Sequence, residues 1–230
     1  MYWSNDSEKQ PDFVIPDDIV DLAFVINCPT LPIDHAYALS TRLLEALPWL
    51  CDEALAGVHL IHGAASGNGW FRPEDTTQEL LHLSRRTRLR LRLPKHRVDD
   101  ARELTGKTLD IDGHPLEFGK SDIHRLSALS TLFARYVITQ EGTDEAEFLA
   151  GATRELRDMD IECRKMLCGI THTHAFPEGP LHTRSLMVAD LEPGQSVRLQ
   201  QFGLGKGRKT GCGLFIPHKG IKPVKESGGE

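Results

Sequence analysis

Apolar positions along this chain keep two rhythms, one of period two and one near 3.6. Ile19–Pro29 is an apolar, β-branched run and reads as a first strand. Beyond Pro32, the segment His35–Cys51 carries Ala36, Leu39, Leu43, Leu44, Leu47 and Leu50 at helical spacing, with Asp34 as its expected N-cap. Val58–Gly63 is a second short strand, closed by the turn Ser66-Gly67-Asn68-Gly69. In Leu80–Leu93 the leucines Leu89, Leu91 and Leu93 alternate with Arg86, Arg88, Arg90 and Arg92, which predicts a half-buried strand with a cationic open face. Val98–Leu104 reads as a short helix, and Thr108–Phe118 as a strand pair about Asp112-Gly113.

That order is β-α-β-β-α-β, and the remainder repeats it without obvious sequence identity. Ala128–Gln140 is a strand, Asp144–Met159 a helix, Lys165–Ile170 and Leu181–Leu191 strands, Glu192–Phe202 a short helix and Cys212–Pro217 a last strand. A doubly wound sheet would also alternate β with α. The strands that follow one another without an intervening helix favour an α+β fold of two tandem ferredoxin-like (βαββαβ, RRM-like) halves. We place the halves at 15–120 and 121–222, joined near Ser121–Leu126, with 1–14 and 223–230 as flexible tails.

Composition changes this picture little. The chain has 230 residues, 40% of them hydrophobic and 26% charged, as expected of a soluble globular protein. Its polar, acidic N-terminus lacks a signal-peptide pattern, and no apolar run approaches a membrane span. The cysteines (Cys28, Cys51, Cys163, Cys168, Cys212) are scattered and never spaced Cys-x-x-Cys, which fits reduced thiols in a cytoplasmic protein and argues against structural zinc.

Charge changes it more. The net charge is −6, yet no acid falls between Leu80 and Val98, where Arg85, Arg86, Arg88, Arg90, Arg92, Lys95 and Arg97 cluster. None falls between Pro193 and Lys225 either, a stretch holding Arg198, Lys206, Arg208, Lys209, Lys219, Lys222 and Lys225. Two basic blocks on an acidic chain describe a defined electrostatic footprint. The arginines of the strand recur every ~6.6–6.8 Å along one face, near the phosphate spacing of a nucleic-acid strand. The second block contains Gly203-Leu204-Gly205-Lys206-Gly207-Arg208-Lys209-Thr210-Gly211-Cys212-Gly213, a loop rich in glycine and cations just before a strand. It matches neither a Walker A motif nor a dinucleotide fingerprint, because no helix follows. Glycine lets backbone N–H groups approach an anion, and the cations supply counter-charge.

In this setting the chain resembles the CRISPR repeat-processing endoribonucleases of the RAMP superfamily, whose signature is a glycine-rich loop before the last strand of the second ferredoxin-like half. Leu31–Leu39, Pro48–Ile61 and Ser84–Pro94 also look like the myxococcal-type branch of that family. The resemblance implies cleavage of precursor CRISPR RNA without metal or cofactor, by 2′-hydroxyl attack, leaving a 2′,3′-cyclic phosphate and a 5′-hydroxyl. It also implies that the protein stays on the repeat hairpin and joins other CRISPR effector subunits. The RNA contacts it implies are Arg85, Arg86, Arg88, Arg90 and Arg92 with Gly203, Gly205, Lys206, Gly207, Arg208, Lys209 and Gly211.

Histidine suits the acid and base roles because its pKa lies close to working pH. The family commonly places its catalytic histidine at the start of the second strand, where His59 stands, with His62 three residues on; a second functional residue often projects from the first helix, where His35 and Tyr37 stand. His35, at a helix start, is biased towards its neutral form. His59 and His62 have opposite parity, so an undistorted strand would not aim both at one phosphate. We rank His59 first, His35 second and His62 third, and read Tyr37 as packing. Trp70, Phe71 and Phe202 are the candidate base-stacking aromatics.

Three other readings compete. One is a catalytically silent RNA-binding subunit of the same superfamily. Another is a metal-dependent hydrolase using His172 and His174, two apart on a strand, with His182. A third, a ligand-binding regulator, is disfavoured by the basic blocks.

Overall fold

The computed structural model describes residues 13–62 and 79–218. The expected tails, the Ser66–Gly69 turn, Trp70, Phe71, Lys219, Lys222 and Lys225 lie outside them. The chain runs β1 (Ile19–Asn27), β2 (Thr30–Pro32), α1 (Ala36–Ala46), α2 (Trp49–Asp52), β3 (Gly57–His59), β4 (Leu80–His82), β5 (Arg88–Pro94), α3 (Val98–Arg102), β6 (Thr108–Ile111) and β7 (His114–Arg125). It continues through β8 (Leu132–Ile138), α4 (Glu145–Asp158), β9 (Lys165–His174), β10 (Leu181–Ala189), α5 (Pro193–Phe202) and β11 (Ile216–Pro217).

Among the described residues, two large antiparallel sheets and a two-stranded β2-β4 pair result. The first has the order β3-β5-β1-β7-β6 and the second β11-β8-β10-β9. Within each sheet the four strands of a βαββαβ unit stand in the ferredoxin-like order 4-1-3-2, so the fold is the tandem α+β one. In the first sheet Leu22, Phe24, Leu89, Leu91 and Leu93 turn to one face and bury against Leu39 and Leu43 of α1. In the second, Leu132, Ala134, Leu186 and Val188 pack on Phe148 and Leu156 of α4 and Leu199 of α5.

Local chemistry sets the element ends. Pro48 has no N–H to extend α1, so the expected helix His35–Cys51 breaks into α1 and α2. Asp34 does not cap α1; its carboxylate accepts the Ala175 N–H at 2.6 Å and lies 3.3 Å from His174 Nδ1. Asp144 does cap α4, accepting the Glu147 N–H at 2.8 Å. Glu192 and Gln195 form a capping box at the start of α5. Ser121–Arg125 pair with β1, so the chain crosses between the sheets at 126–131 and not within Ser121–Leu126. The last strand keeps only Ile216–Pro217, because Cys212–Phe215 are buried in irregular backbone.

The larger departure concerns the arginine strand. Arg86 sits in the turn before β5, and Arg92 is fully buried (0% exposed). Arg92 Nε and Nη2 donate to the two oxygens of Asp21 on β1 at 2.8 and 2.9 Å. Its Nη1 donates to the carbonyl oxygens of Gln200, on α5, and Phe215, at 2.9 and 2.8 Å. One guanidinium thus pins the second half onto the first, with four of its five donor positions used. Arg92→Ala should lower the unfolding free energy by about 3–5 kcal/mol, because it strands a buried carboxylate. Arg90→Ala, at an exposed position, should stay within about 0.5 kcal/mol. Equilibrium urea unfolding of the two variants measures the contrast.

Candidate nucleic-acid interface

The face of the first sheet turned away from α1 meets the second sheet across a cleft of about 380 Å³. Strand parity fills its first wall: Arg88 and Arg90 alternate with the buried leucines, and His59 pairs opposite Arg90. Arg86 and Thr87 join them from the preceding turn, and Phe133, Arg135 and Tyr136 of β8 form the facing wall. Arg86, Arg88 and Arg90 are exposed. The cleft is therefore cationic on one side and aromatic with one arginine on the other.

His59 ends β3. Its Nε2 lies 3.5 Å from Asp21 Oδ1, without a well-formed hydrogen bond. Burial is the main force on its imidazole and pulls its pKa below the ordinary value; Asp21 opposes that pull, while Arg92 and Arg90 add to it. Burial also opposes ionisation of Asp21, but Arg92 and then His59 outweigh it and hold the carboxyl far below the usual range. The pair is a neutral imidazole beside a carboxylate already claimed by an arginine.

His62 lines the same cleft. The strand stops at His59, so the parity that would separate the two histidines ends before His62 is reached. Its ring lies 6.0 Å from that of Tyr136.

His35 is a different case. It is 2% exposed, its Nε2 accepts the Ile61 N–H at 3.2 Å, and its Nδ1 donates to the Pro32 carbonyl at 2.9 Å. Nε2 holds the start of α1 to the chain beyond β3 and Nδ1 holds the turn before α1, so the structure makes His35 a packing histidine. Tyr37 packs edge-on against Phe176, ring centroids 5.5 Å apart.

The glycine loop is turned inward. Arg208 Nη2 donates to the carbonyls of Leu55 and Gln201 at 2.7 and 2.9 Å. Burial, reinforced by Arg92, lowers its pKa to about 10. Lys209 Nζ donates to the Glu53 carbonyl and, at 2.8 Å, to that of Ala56; burial and Arg208 lower its pKa to about 8. The Gly205 N–H goes to Glu155 Oε2 at 2.8 Å, an acid where an anion site would need none.

Gly213 shows what the glycines are for. At φ +68°, a Cβ there would stand 2.1 Å from the Leu204 carbonyl oxygen, within the loop itself. Gly203 is likewise hemmed in by the loop's own atoms, Gly207 by Ile138 of β8 and by Cys212, and Gly211 by Leu60. Of the loop residues expected on RNA, Lys206 is an exposed cation and Gly211 borders the cleft. Arg92, Arg208 and Lys209 are interior contacts. Arg85 points elsewhere, beside Val25–Pro29, and Phe202 is exposed at the end of α5 outside the cleft lining.

The metal alternative fails on register. His182 pairs opposite Thr173, so it points to the face away from His172 and His174. Those two instead flank Tyr136, with ring centroids 6.1 and 4.5 Å away. Among the described residues no three His, Cys, Asp or Glu side chains are grouped to hold a metal ion. Sequence reasoning missed Asp21, Arg135 and Tyr136. Asp21 left a signal, an acid inside the apolar run IVDLAFVIN that had to find a buried partner; the other two left none.

Comparison with known proteins bears on this geometry. The Cas6 family model, described as Cas6 Crispr, matches residues 20–220. A CRISPR-associated endonuclease Cas6 of Myxococcus xanthus (strain DK1622) is 33% identical over 203 residues, which cover 86% of this chain and 81% of that protein. A solved structure described as a RAMP protein binding different RNA substrates aligns with a TM-score of 0.59 at 12% identity, over 86% of this chain and 98% of the other. A CRISPR associated protein Cas6 aligns with a TM-score of 0.58 at 9% identity, over 87% of this chain and 100% of the other. The structural likenesses are likenesses of fold. Among the described residues no helix is long and apolar enough to cross a membrane.

The lowered pKa of His59 makes a prediction for stability. Just below pH 6.5 the unfolded chain binds a proton at this residue that the folded chain refuses, so stability is fully present above about 6.5 and declines as pH falls through the folded value. His59→Asn should flatten that part of the profile. Unfolding free energies of both proteins between pH 5 and 7.5, compared as a difference, measure it.

Proposed function

The chain belongs to the Cas6 family of CRISPR-associated endonucleases, and on that premise we propose that it is a metal-independent endoribonuclease that cuts CRISPR repeat RNA within precursor transcripts. The observation that carries the reading is the cleft. A histidine kept neutral by burial stands at the end of a strand, beside exposed Arg88 and Arg90, across from Arg135, with His62 in the same lining.

The chemistry follows from those positions. Arg88 and Arg90 hold the phosphate and spread the charge of the phosphorane. His59, neutral at working pH, takes the proton of the 2′-hydroxyl as its oxygen bonds to phosphorus. The P–O5′ bond breaks, and His62 gives a proton to the leaving oxygen. The products are a 2′,3′-cyclic phosphate and a 5′-hydroxyl. Asp21, 3.5 Å from His59 Nε2, orients the ring and stabilises the imidazolium that forms. Each imidazole acting as acid or base is worth about 10²–10⁴-fold in rate. The exposed arginines also keep the cut hairpin bound, which suits a protein that stays on its product within an interference complex.

End-labelled repeat RNA should be cut in EDTA, and a 2′-deoxy nucleotide at the cut site should abolish cutting; cleavage that requires added metal would sink the mechanism. His59→Ala should lower the single-turnover rate about 10²–10⁴-fold at an RNA affinity within a few-fold of wild type. A near wild-type rate in that variant removes His59 from the role, and intact RNA with tight wild-type binding points to a silent subunit. The wild-type rate should fall as pH drops through a value below about 6.5, because a protonated His59 cannot act as base.

Salt dependence gives a separate check. Arg88→Ala and Arg90→Ala should each flatten the plot of log affinity against log salt by about 0.7–0.9. Lys209→Met should leave the slope unchanged, since its ammonium is spent on Glu53 and Ala56.

A further inference from the structure

The second sheet has an open face as well as a covered one. Its helix side is closed by α4 and α5 over Leu132, Ala134, Leu186 and Val188. On the other side the register lines up one residue from each strand. Ile216 pairs with Phe133, Phe133 with Met187, and Met187 with Leu167. Residues directly opposite in an antiparallel ladder lie about 4.5–5.5 Å apart at Cβ, so these four make an unbroken apolar row across the sheet. Burial falls along it, from half-buried Ile216, Phe133 and Met187 to Leu167, which is 63% exposed.

The ground beside the row is low. Arg135 follows Phe133 by two residues, and its guanidinium stands 6.0 Å from the centre of the phenyl ring. Its Nε is buried without a hydrogen-bond partner. Further along, Gly169 lies so close under Ser185 that a Cβ would fall 2.3 Å from the Ser185 hydroxyl. Ser185 and Gly169 are small residues, so no large side chain overhangs the apolar row on that side.

The row starts in the cationic cleft, where Phe133 and Ile216 line the same space as His59, Arg88 and Arg90. A strand of RNA whose phosphates lie on those arginines must place its unpaired bases on a neighbouring surface. The neighbouring surface is a single apolar row, one aromatic ring wide, with an arginine against the ring. That is the make-up of a base-stacking platform, on which π-faces and a guanidinium hold any base without reading it. A protein partner would need a broader apolar patch than one row.

We propose that the open face of the second sheet is a stacking shelf for unpaired nucleotides of the RNA, with Phe133 as the stacking residue and Arg135 beside it as the cation. The proposal rests on the reading of the cleft as an RNA site. It places the contacts for single-stranded nucleotides on the second half, while the phosphate at the cut is held mainly by the first.

The test uses the full chain and two repeat RNAs, one with its single-stranded flank intact and one with that flank abasic. Phe133→Leu keeps an apolar side chain and removes the ring. It should weaken binding of the intact RNA about 5- to 150-fold, the worth of one stacked base, and leave binding of the abasic RNA unchanged. Equal affinity of variant and wild type for the intact RNA overturns the shelf and leaves the cleavage reading standing. An equal loss on both RNAs assigns Phe133 to packing and also overturns it. Self-association of the wild type that Leu167→Glu abolishes, seen by sedimentation with no change in RNA affinity, assigns the face to a second copy. A wild-type chain that binds neither RNA removes the cleft reading itself.

Discussion

The ion pair of Arg92 and Asp21 is the contact on which the rest of this molecule depends. Each charge alone would be intolerable where it lies; together they satisfy four hydrogen bonds, two between themselves and two to carbonyls of the second half. The planar fork of arginine is needed here, because lysine cannot donate in two directions from one rigid head. By reaching Gln200 and Phe215, Arg92 fixes how far the second sheet stands from the first, and therefore how wide the cleft is. It also sets the electrostatics at the cleft's edge. Burial keeps His59 neutral against the pull of Asp21, and Arg92 adds to the effect of burial.

The glycine loop works towards the same end from the other side. Two of its cations, Arg208 and Lys209, are driven into the carbonyls of Glu53, Leu55 and Ala56, the segment that leads into β3. Backbone carbonyls at the end of a short helix carry partial negative charge and welcome a cation. The loop therefore fastens β3 in place, and His59 ends that strand. Leu214 packs over Gly57 from the same loop, two residues before His59. A motif that looks like an anion site by composition is a clamp on the strand that carries the candidate base.

How much of this was legible in the sequence can be argued from single residues. Parity along β5 correctly put Arg88, Arg90 and Arg92 on one face, but parity says nothing of what will cover a face. Arg92 is buried because the second half docks there, a tertiary fact with no local trace. The capping residues Asp144 and Glu192 were legible because a cap is a local bond. Asp34 had the same credentials and went instead to Ala175 and His174, far away in sequence. His35 is a related case, since the Ile61 N–H that occupies its ring comes from 26 residues on. Arg135 carries no pattern at all, being one arginine in a strand of ordinary alternation.

The same reasoning explains why the candidate base sits beside the structural ion pair and not in the open. A general base must be unprotonated at working pH, and an exposed histidine near several arginines would meet that need, yet would also turn freely. Burial against Asp21 restrains the ring, but an unclaimed carboxylate would raise the imidazole pKa and favour the protonated form. Burial outweighs the pull of Asp21, and Arg92 adds to burial, so the ring stays in contact with Asp21 without becoming more basic. The restraint on the ring comes from one three-residue cluster, Asp21, His59 and Arg92, drawn from three adjacent strands. Because that cluster also docks the two halves, the geometry around the candidate base and the assembly of the fold cannot vary independently. A change that loosens the docking would be felt first at His59.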